Sequence, residues 1–300
     1  MIKIYNILII TALFHFSLSD EEYKKKWRSY PACQIGRLQS PIEIKEYESI
    51  YANNFSFVYQ SYKGCNLEKQ SNKYAYIKKI TYNGGYINFE RGGVIKQYQF
   101  KRAEIYPGLH KIDEKIADYE LHLIHEKNLD FITNKNQYRS IQDANMYLVI
   151  VLRYSNCTGD KVPCISDNGL LEKLKASDES NQFNLNDYKI FQDKRAYFYE
   201  GSFVHIPCDE NVNYYVVKDF FFLNKDLIHE EVDEITSTDK SDKTGQNENK
   251  IHLNKGEIKI ADKFGRPVYK NFMNYREVLG NNYFSLKINF ILFLLMTELL

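Results

Sequence analysis

The sequence predicts a single, mainly β domain of α+β class with few and short helices, and three observations predict it. Short apolar runs rich in aromatics recur along the chain, which holds 25 Tyr and 19 Phe in 300 residues; such side chains suit a pleated, half-buried surface. Several runs alternate in polarity with the period of two that a strand imposes. Only one segment carries a credible helical pattern. A chain of this length can bury a core of good size in one domain. The formal net charge of +1, with Lys and Arg spread along the chain, gives no reason to expect nucleic acid as a partner.

In chain order, residues 1–19 read as a secretory signal: Lys3 supplies positive charge, "ILIITALFHF" is a short apolar run, and Ser17 and Ser19 precede Asp20. The domain then covers residues 20–278. After an irregular entry segment, "YAYIKKITY" (74–82) and "GYINFE" (85–90) flank Asn83-Gly84-Gly85 and read as a hairpin. "VIKQYQFKR" (94–102) alternates imperfectly. "DYELHLI" (118–124) places Tyr119, Leu121 and Leu123 on one face and Glu120, His122 and Ile124 on the other. "MYLVIVLRY" (146–154) is apolar on both faces and belongs in the middle of a sheet. "NGLLEKLKAS" (168–177) is the helix, with Leu170, Leu171 and Leu174 on one side and Ser166 or Asp167 as its cap. "RAYFYEGSFVHI" and "VNYYVVKDFFFL" supply two or three more strands. Residues 229–250 are polar and charged and read as a mobile loop. Residues 279–300 place an apolar run, "INFILFLLMTELL", after Gly280, Asn281 and Asn282, the layout of a lipid-anchor signal. A tail anchor and a packed terminal helix are the other two readings of that segment.

The leader implies an oxidising compartment, so disulfides are expected among Cys33, Cys65, Cys157, Cys164 and Cys208. Cys157 and Cys164 are near enough in sequence to close a small loop. A bridge between the distant Cys33 and Cys208 would restrict the unfolded chain more, and one cysteine, read as Cys65, is left over. "NFS" at Asn54 and "NCT" at Asn156 fit the acceptor pattern for N-linked glycans.

Glu120 and His122 share a strand face, and a carboxylate beside a ligand histidine is the usual support of a metal site. A catalytic zinc needs three protein ligands; the other reading is two polar residues on a half-exposed strand. Four segments widen the context: "YPAC" (30–33) followed by "QSPIEI" (39–44), then "ELHLIH" (120–125), "GSFVHIPC" (201–208) and "GRPVYKNF" (265–272). In this order they resemble the α-class carbonic anhydrases, over roughly residues 27–272. The resemblance implies a large, mostly antiparallel twisted central sheet with a few surface helices, and a Cys33–Cys208 disulfide as in secreted members.

It also implies a zinc held by three histidines, of which His122 is one, with Glu120 and His110 as supporting residues. The other two ligands are expected at Ala103 and Ile105, or near Gln97 and Gln99 in the register of members with a longer loop, and the chain has no histidine between His15 and His110. Leu109 stands where the family has a glutamate. Val204 replaces the threonine that orients the zinc-bound hydroxide, and His205 replaces the next one. Tyr86 stands at the proton-shuttle position, and Tyr147 where a small apolar residue helps form the CO2 pocket. The implied reading is a secreted or surface-anchored carbonic anhydrase-like protein without catalysis or cofactor. It would act as a structural domain or by binding a protein or glycan, with the C-terminal lipid anchor as its route to a membrane. The alternative is zinc-dependent CO2 hydration at a rebuilt, weak site made of His122 and His205 with Glu104 or Glu120.

Overall fold

The computed structural model describes residues 29–71, 76–80, 84–129, 131, 145–156, 169–176, 183–188, 194–223, 261 and 265–273. The leader, Ser166 and Asp167, the Cys157–Cys164 pair, the 229–250 loop and the C-terminal tail lie outside these residues. Among the described residues there are two short α-helices, α1 (Pro31–Ile35) and α2 (Leu170–Ala176). The strands are β1 (Glu43–Ile44), β2 (Ile50–Tyr51), β3 (Phe55–Ser61), β4 (Leu67–Ser71), β5 (Tyr76–Ile80), β6 (Tyr86–Arg91) and β7 (Val94–Pro107). They continue with β8 (Lys111–Ile112), β9 (Lys115–Ile116), β10 (Tyr119–Lys127), β11 (Tyr147–Asn156), β12 (Ala196–Gly201), β13 (Val212–Leu223) and β14 (Tyr269–Lys270).

Eleven strands form one sheet in the order β2-β14-β12-β13-β11-β10-β7-β5-β4, with β6 on β7 and β3 on β6. Its pairings are antiparallel except β11 with β13 and β14 with β2. β11 is central, as its doubly apolar sequence requires, and Leu148 through Tyr154 are all buried. One face packs Ala103, Ile105, Leu121, Leu123, Leu148, Ile150 and Leu152 together with Leu170, Leu171 and Leu174 of α2. The opposite face gathers Ile124, Val149, Val151, Tyr197, Tyr199, Tyr214 and Val216 with Ile42 and Ile44. Both faces of β10 are therefore inside the protein. Glu120 and His122, expected on a half-exposed strand if they were not functional, are 0% and 1% exposed.

The hairpin expected at Asn83-Gly84-Gly85 is not formed. β5 and β6 do not pair with each other; both run antiparallel to β7, β6 against Val94–Gln99 and β5 against Arg102–Ile105. The chain thus keeps its direction along β7, which at 14 residues is long enough to hold both. Gly85 (φ +79) permits this course, since a Cβ there would stand 2.2 Å from the Ser61 carbonyl oxygen. The true reversal is Gly92-Gly93, between Arg91 and Val94, with φ +59 and +79 at the two glycines. Two positive-φ residues match the turn to the twist of the flanking strands.

Cys33 of α1 is bonded to Cys208. This ties the entry segment to the loop after β12. Cys65 is free and buried. Around that tie the entry segment is held by side chains. Ser40 N donates to Ser202 Oγ (3.1 Å) and Ser202 N to Ser40 Oγ (3.2 Å). Arg266 donates to the Glu200 carbonyl (3.0 Å) and to that of Gln39. Gly201 sits at this junction, where a Cβ would come within 2.1 Å of Ser40 Oγ and 2.9 Å of the Tyr199 ring. Gly201→Ala should therefore destabilise the fold by about 1–3 kcal/mol, the usual range for forced overpacking. Urea unfolding of the variant beside the unsubstituted protein measures it.

Candidate functional site

Of the residues singled out by sequence, Glu104, Glu120 and His122 meet on the face of β7, β10 and β11 that carries Ile124, Val149 and Val151. In the antiparallel pair of β10 with β7, Glu120 is opposite Tyr106, His122 opposite Glu104, and Ile124 opposite Arg102. Directly opposed residues share a sheet face. On β11 the same face continues through Arg153, opposite Glu120, and Val151, opposite His122.

This register corrects the placement of the lost ligand positions. Ala103 and Ile105 oppose Leu123 and Leu121 and lie in the core on the other side of the sheet. The β7 positions that face His122 are Glu104, directly across from it, and Tyr106, whose ring centroid is 4.8 Å from the His122 ring. A one-residue slip moves every side chain of a strand to the opposite face, and the positions reached by counting back from His110 lie one residue away from those that face His122.

Glu120 anchors the floor of the site. Its Oε1 accepts from the backbone N–H groups of Leu109 (3.2 Å) and His110 (2.7 Å). Its Oε2 accepts from His110 Nδ1 (2.8 Å) and His122 Nε2 (3.0 Å). Burial opposes the charge, but His110 and His122 outweigh it and hold the carboxyl well below the usual carboxylate range. His110 is fully buried, and burial pulls its pKa down, against the pull of Glu120. A neutral His110 donates from Nδ1 to Glu120, so its Nε2 accepts from Tyr199 Oη at 2.7 Å. Tyr199 Oη lies 3.2 Å from Ser40 Oγ, which joins the network to the entry segment.

The outer part of the site is an ion cluster. Glu104 Oε1 accepts from Arg102 Nε (2.7 Å) and Oε2 from Tyr106 Oη (2.6 Å). His205 Nδ1 donates to the Ile206 carbonyl (3.1 Å). Its Nε2 stands 3.7 Å from Glu104 Oε1, within ion-pair reach but too far for a hydrogen bond, and has no hydrogen-bond partner among the described residues. Burial works against ionisation of Glu104, yet His205, Arg102 and Tyr106 overcome it and bring its pKa to about 2. Burial likewise opposes protonation of His205, and Glu104 reverses that and raises it. Phe203 closes the mouth, stacked on His205 (5.5 Å between centroids), edge-on to Tyr147 (4.8 Å) and under the Arg102 guanidinium (5.4 Å).

Tyr147 thus narrows the cleft. Val204 is buried and offers no oxygen, and Leu109 contributes its backbone N–H rather than a carboxylate. Tyr86 is half-buried at the start of β6, in register with Gln99. Sequence reasoning missed Arg102, Tyr106, Tyr199, Tyr214 and the buried Arg153, all brought here by strand register. The signal available for Arg102, Glu104 and Tyr106 was the alternation of "RAEIY" across β10.

Among the described residues, one group of three metal-ligating side chains has donor atoms within 4.8 Å of one another: His110, Glu120 and His122. The zinc that the resemblance implies does not fit these donors. Both nitrogens of His110 and both oxygens of Glu120 are already hydrogen-bonded, so a metal there would have to displace those bonds. The alternative set of His122 and His205 with Glu104 is not drawn together into such a group.

The family model described as eukaryotic-type carbonic anhydrase matches residues 22–272. Alpha carbonic anhydrase 8 of Arabidopsis thaliana is 22% identical over 263 residues, which are 84% of this chain and 63% of that protein. Dioscorin dioA3 of Dioscorea japonica is 23% identical over 200 residues, 65% of each chain. The chain spans just under two thirds of the length of these relatives. Among solved structures, a dioscorin complexed with ascorbate superposes with a TM-score of 0.56 at 19% identity, covering 82% of this chain and 90% of its own. An alpha-carbonic anhydrase of Photobacterium profundum gives 0.54 at 16%, covering 82% and 95%. These two likenesses show the fold.

Two outcomes follow from this geometry. The double substitution Glu104→His with Tyr106→His should let the protein retain zinc through dialysis, whereas Ala103→His with Ile105→His should add no zinc and lower stability; metal analysis of both decides the register. The second outcome concerns acid. Glu104 has its carboxyl depressed from 4.5 to about 2 in the folded protein, so its stabilisation is present above pH 4.5 and lost as pH falls towards 2. Its full size is on the order of 3 kcal/mol. Glu104→Gln should flatten the fall in unfolding free energy between pH 5 and pH 3, as read by urea titrations.

Proposed function

The chain belongs to the eukaryotic-type carbonic anhydrase family, and we propose that this member does not perform zinc-hydroxide catalysis and serves as a binding or structural domain. The observation that carries the proposal is the state of the donors around His122. A zinc hydroxide requires a metal that lowers the pKa of its water, for which carbonic anhydrases are the type case, and an open coordination position. Here the positions facing His122 hold Glu104 and Tyr106. His122 itself is 1% exposed, and Val204 cannot accept the hydroxide's proton.

A secreted or surface-held location accompanies this reading. The Cys33–Cys208 bond supports it, since such bonds persist in oxidising compartments. No helix among the described residues is long and apolar enough to cross a membrane, and attachment would fall to the C-terminal lipid-anchor signal read from the sequence. The partner is a protein or a glycan in this proposal, and no cofactor is needed.

The second reading, weak carbonate dehydratase activity at a rebuilt metal site, has one observation in its favour: the donor atoms of His110, Glu120 and His122 lie within 4.8 Å of one another. A metal there must first displace the hydrogen bonds that hold those groups, leaving two buried backbone N–H groups in competition with it. Zinc content and stopped-flow CO2 hydration on one purified sample separate the readings. We expect less than stoichiometric zinc and no hydration above buffer, unchanged by His122→Ala. Stoichiometric zinc with hydration that His122→Ala abolishes would overturn the proposal.

A further inference from the structure

Of the two glycan-acceptor tripeptides, we infer that Asn54 is the one that carries an N-linked glycan and Asn156 is not; the inference rests on the secretory route proposed above. Asn54 is exposed in the connection between β2 and β3, and Asn53 beside it is also exposed. The next three residues alternate as an extended chain does: Phe55 points into the core, while Ser56, the hydroxyl residue of the tripeptide, is exposed on the same side as Asn54. The backbone is held there, with Gly92 N donating to the Asn54 carbonyl at 2.8 Å. The side chain is therefore presented outward from a fixed base.

Asn156 is placed differently. It is the last residue of β11, half-buried, and paired with Leu223 of β13. Its backbone N–H donates to Asp118 Oδ2 at 2.8 Å, and Ser155 Oγ donates to the same oxygen at 3.0 Å. A glycan on Asn54 stands in solvent, whereas Asn156 is a half-buried residue at the end of a paired strand, with its backbone N–H already bonded to Asp118.

The transfer itself needs an oligosaccharide carried on a lipid pyrophosphate. A bond forms from Asn54 Nδ2 to the anomeric carbon, the bond from that carbon to phosphate oxygen breaks, the lipid pyrophosphate leaves with the electron pair, and Nδ2 gives up one proton. The location also has a physical use. β3 is paired only with β6 among the described strands and carries Val58, 48% exposed, at a register shift. A glycan rising from the start of β3 keeps the strand of another molecule away from that edge, the hazard every open edge presents.

The experiment is expression of the full chain in a eukaryotic secretory host. Peptide N-glycosidase digestion then converts a glycosylated Asn to Asp, which peptide mass spectrometry locates, and the Cys33–Cys208 bond is scored on the same sample. We expect conversion at Asn54 alone, and one glycan's loss of mass in Asn54→Gln and Ser56→Ala but not in Asn156→Gln or the conservative Ser56→Thr. A secreted protein with the Cys33–Cys208 bond formed but no sugar on Asn54, or with sugar on Asn156, overturns this inference alone. A protein retained in the cytosol with Cys33 and Cys208 reduced overturns the secretory reading, and the inference falls with it.

Discussion

The site and much of the sheet around it depend on the buried Glu120 carboxylate and its four hydrogen-bond donors. An isolated charge in such a place would cost several kcal/mol, and only full satisfaction of its lone pairs makes it tolerable. The donors come from different parts of the chain. Two are backbone groups of the connection between β7 and β10, one is a ring on β10 itself, and one is the ring of His110. Through His110 Nε2 the network continues to Tyr199 on β12 and from there to Ser40 in the entry segment. Arg153, in register with Glu120 on β11, places a buried guanidinium beside the anion and binds the carbonyls of Lys115 and Lys218. β10, β11, β12 and the entry segment are thus tied to one charge, and loss of any of its four donors leaves that charge poorly solvated.

That dependence gives the family motifs a structural reason to be legible in the sequence. "QSPIEI", "GSFVHIPC" and "GRPVYKNF" meet at one junction, where Ser40 and Ser202 exchange hydrogen bonds and Arg266 bridges the carbonyls of Gln39 and Glu200. "ELHLIH" supplies Glu120 to the floor beneath them. These residues are demanded by the fold whether or not a metal is bound. The two positions that would complete a histidine triad make no comparable structural demand, and Glu104 and Tyr106 satisfy one another there with a 2.6 Å hydrogen bond.

What was legible followed local patterns. The alternation of 118–124, the doubly apolar 146–154 and the leucine spacing of α2 each fix an element from its own residues. The Cys33–Cys208 bond and the supporting roles of His110 and Glu120 came through the family resemblance. What was not legible depended on pairing between distant strands. Asn83-Gly84-Gly85 has hairpin chemistry, but β7 is long enough to keep β5 and β6 on one edge in the same direction, so the local preference yields to a longer ladder. Ala103 and Ile105 were misassigned because the length of the β7–β10 connection sets the register, and an offset of one residue exchanges core for cleft. The place of Arg102 follows from that same register, and those of Tyr199 and Tyr214 from the pairing of β12 with β13.

A catalytic centre and a core differ in where their polar groups point. In the first, donors converge on a place that a substrate or metal occupies; in the second, they converge on each other. On this face the inner groups, Glu120, His110 and His122, converge on each other, sealed beneath Tyr106 and Tyr214. Only the outer cluster retains access, with the Arg102 and His205 side chains 25% and 16% exposed around Phe203. There Arg102 and His205 stand around the one Glu104 carboxylate, and His205 Nε2 has no hydrogen-bond partner among the described residues. Anything approaching this face therefore meets the Phe203 ring with Arg102 and His205 beside it, while His122 is buried.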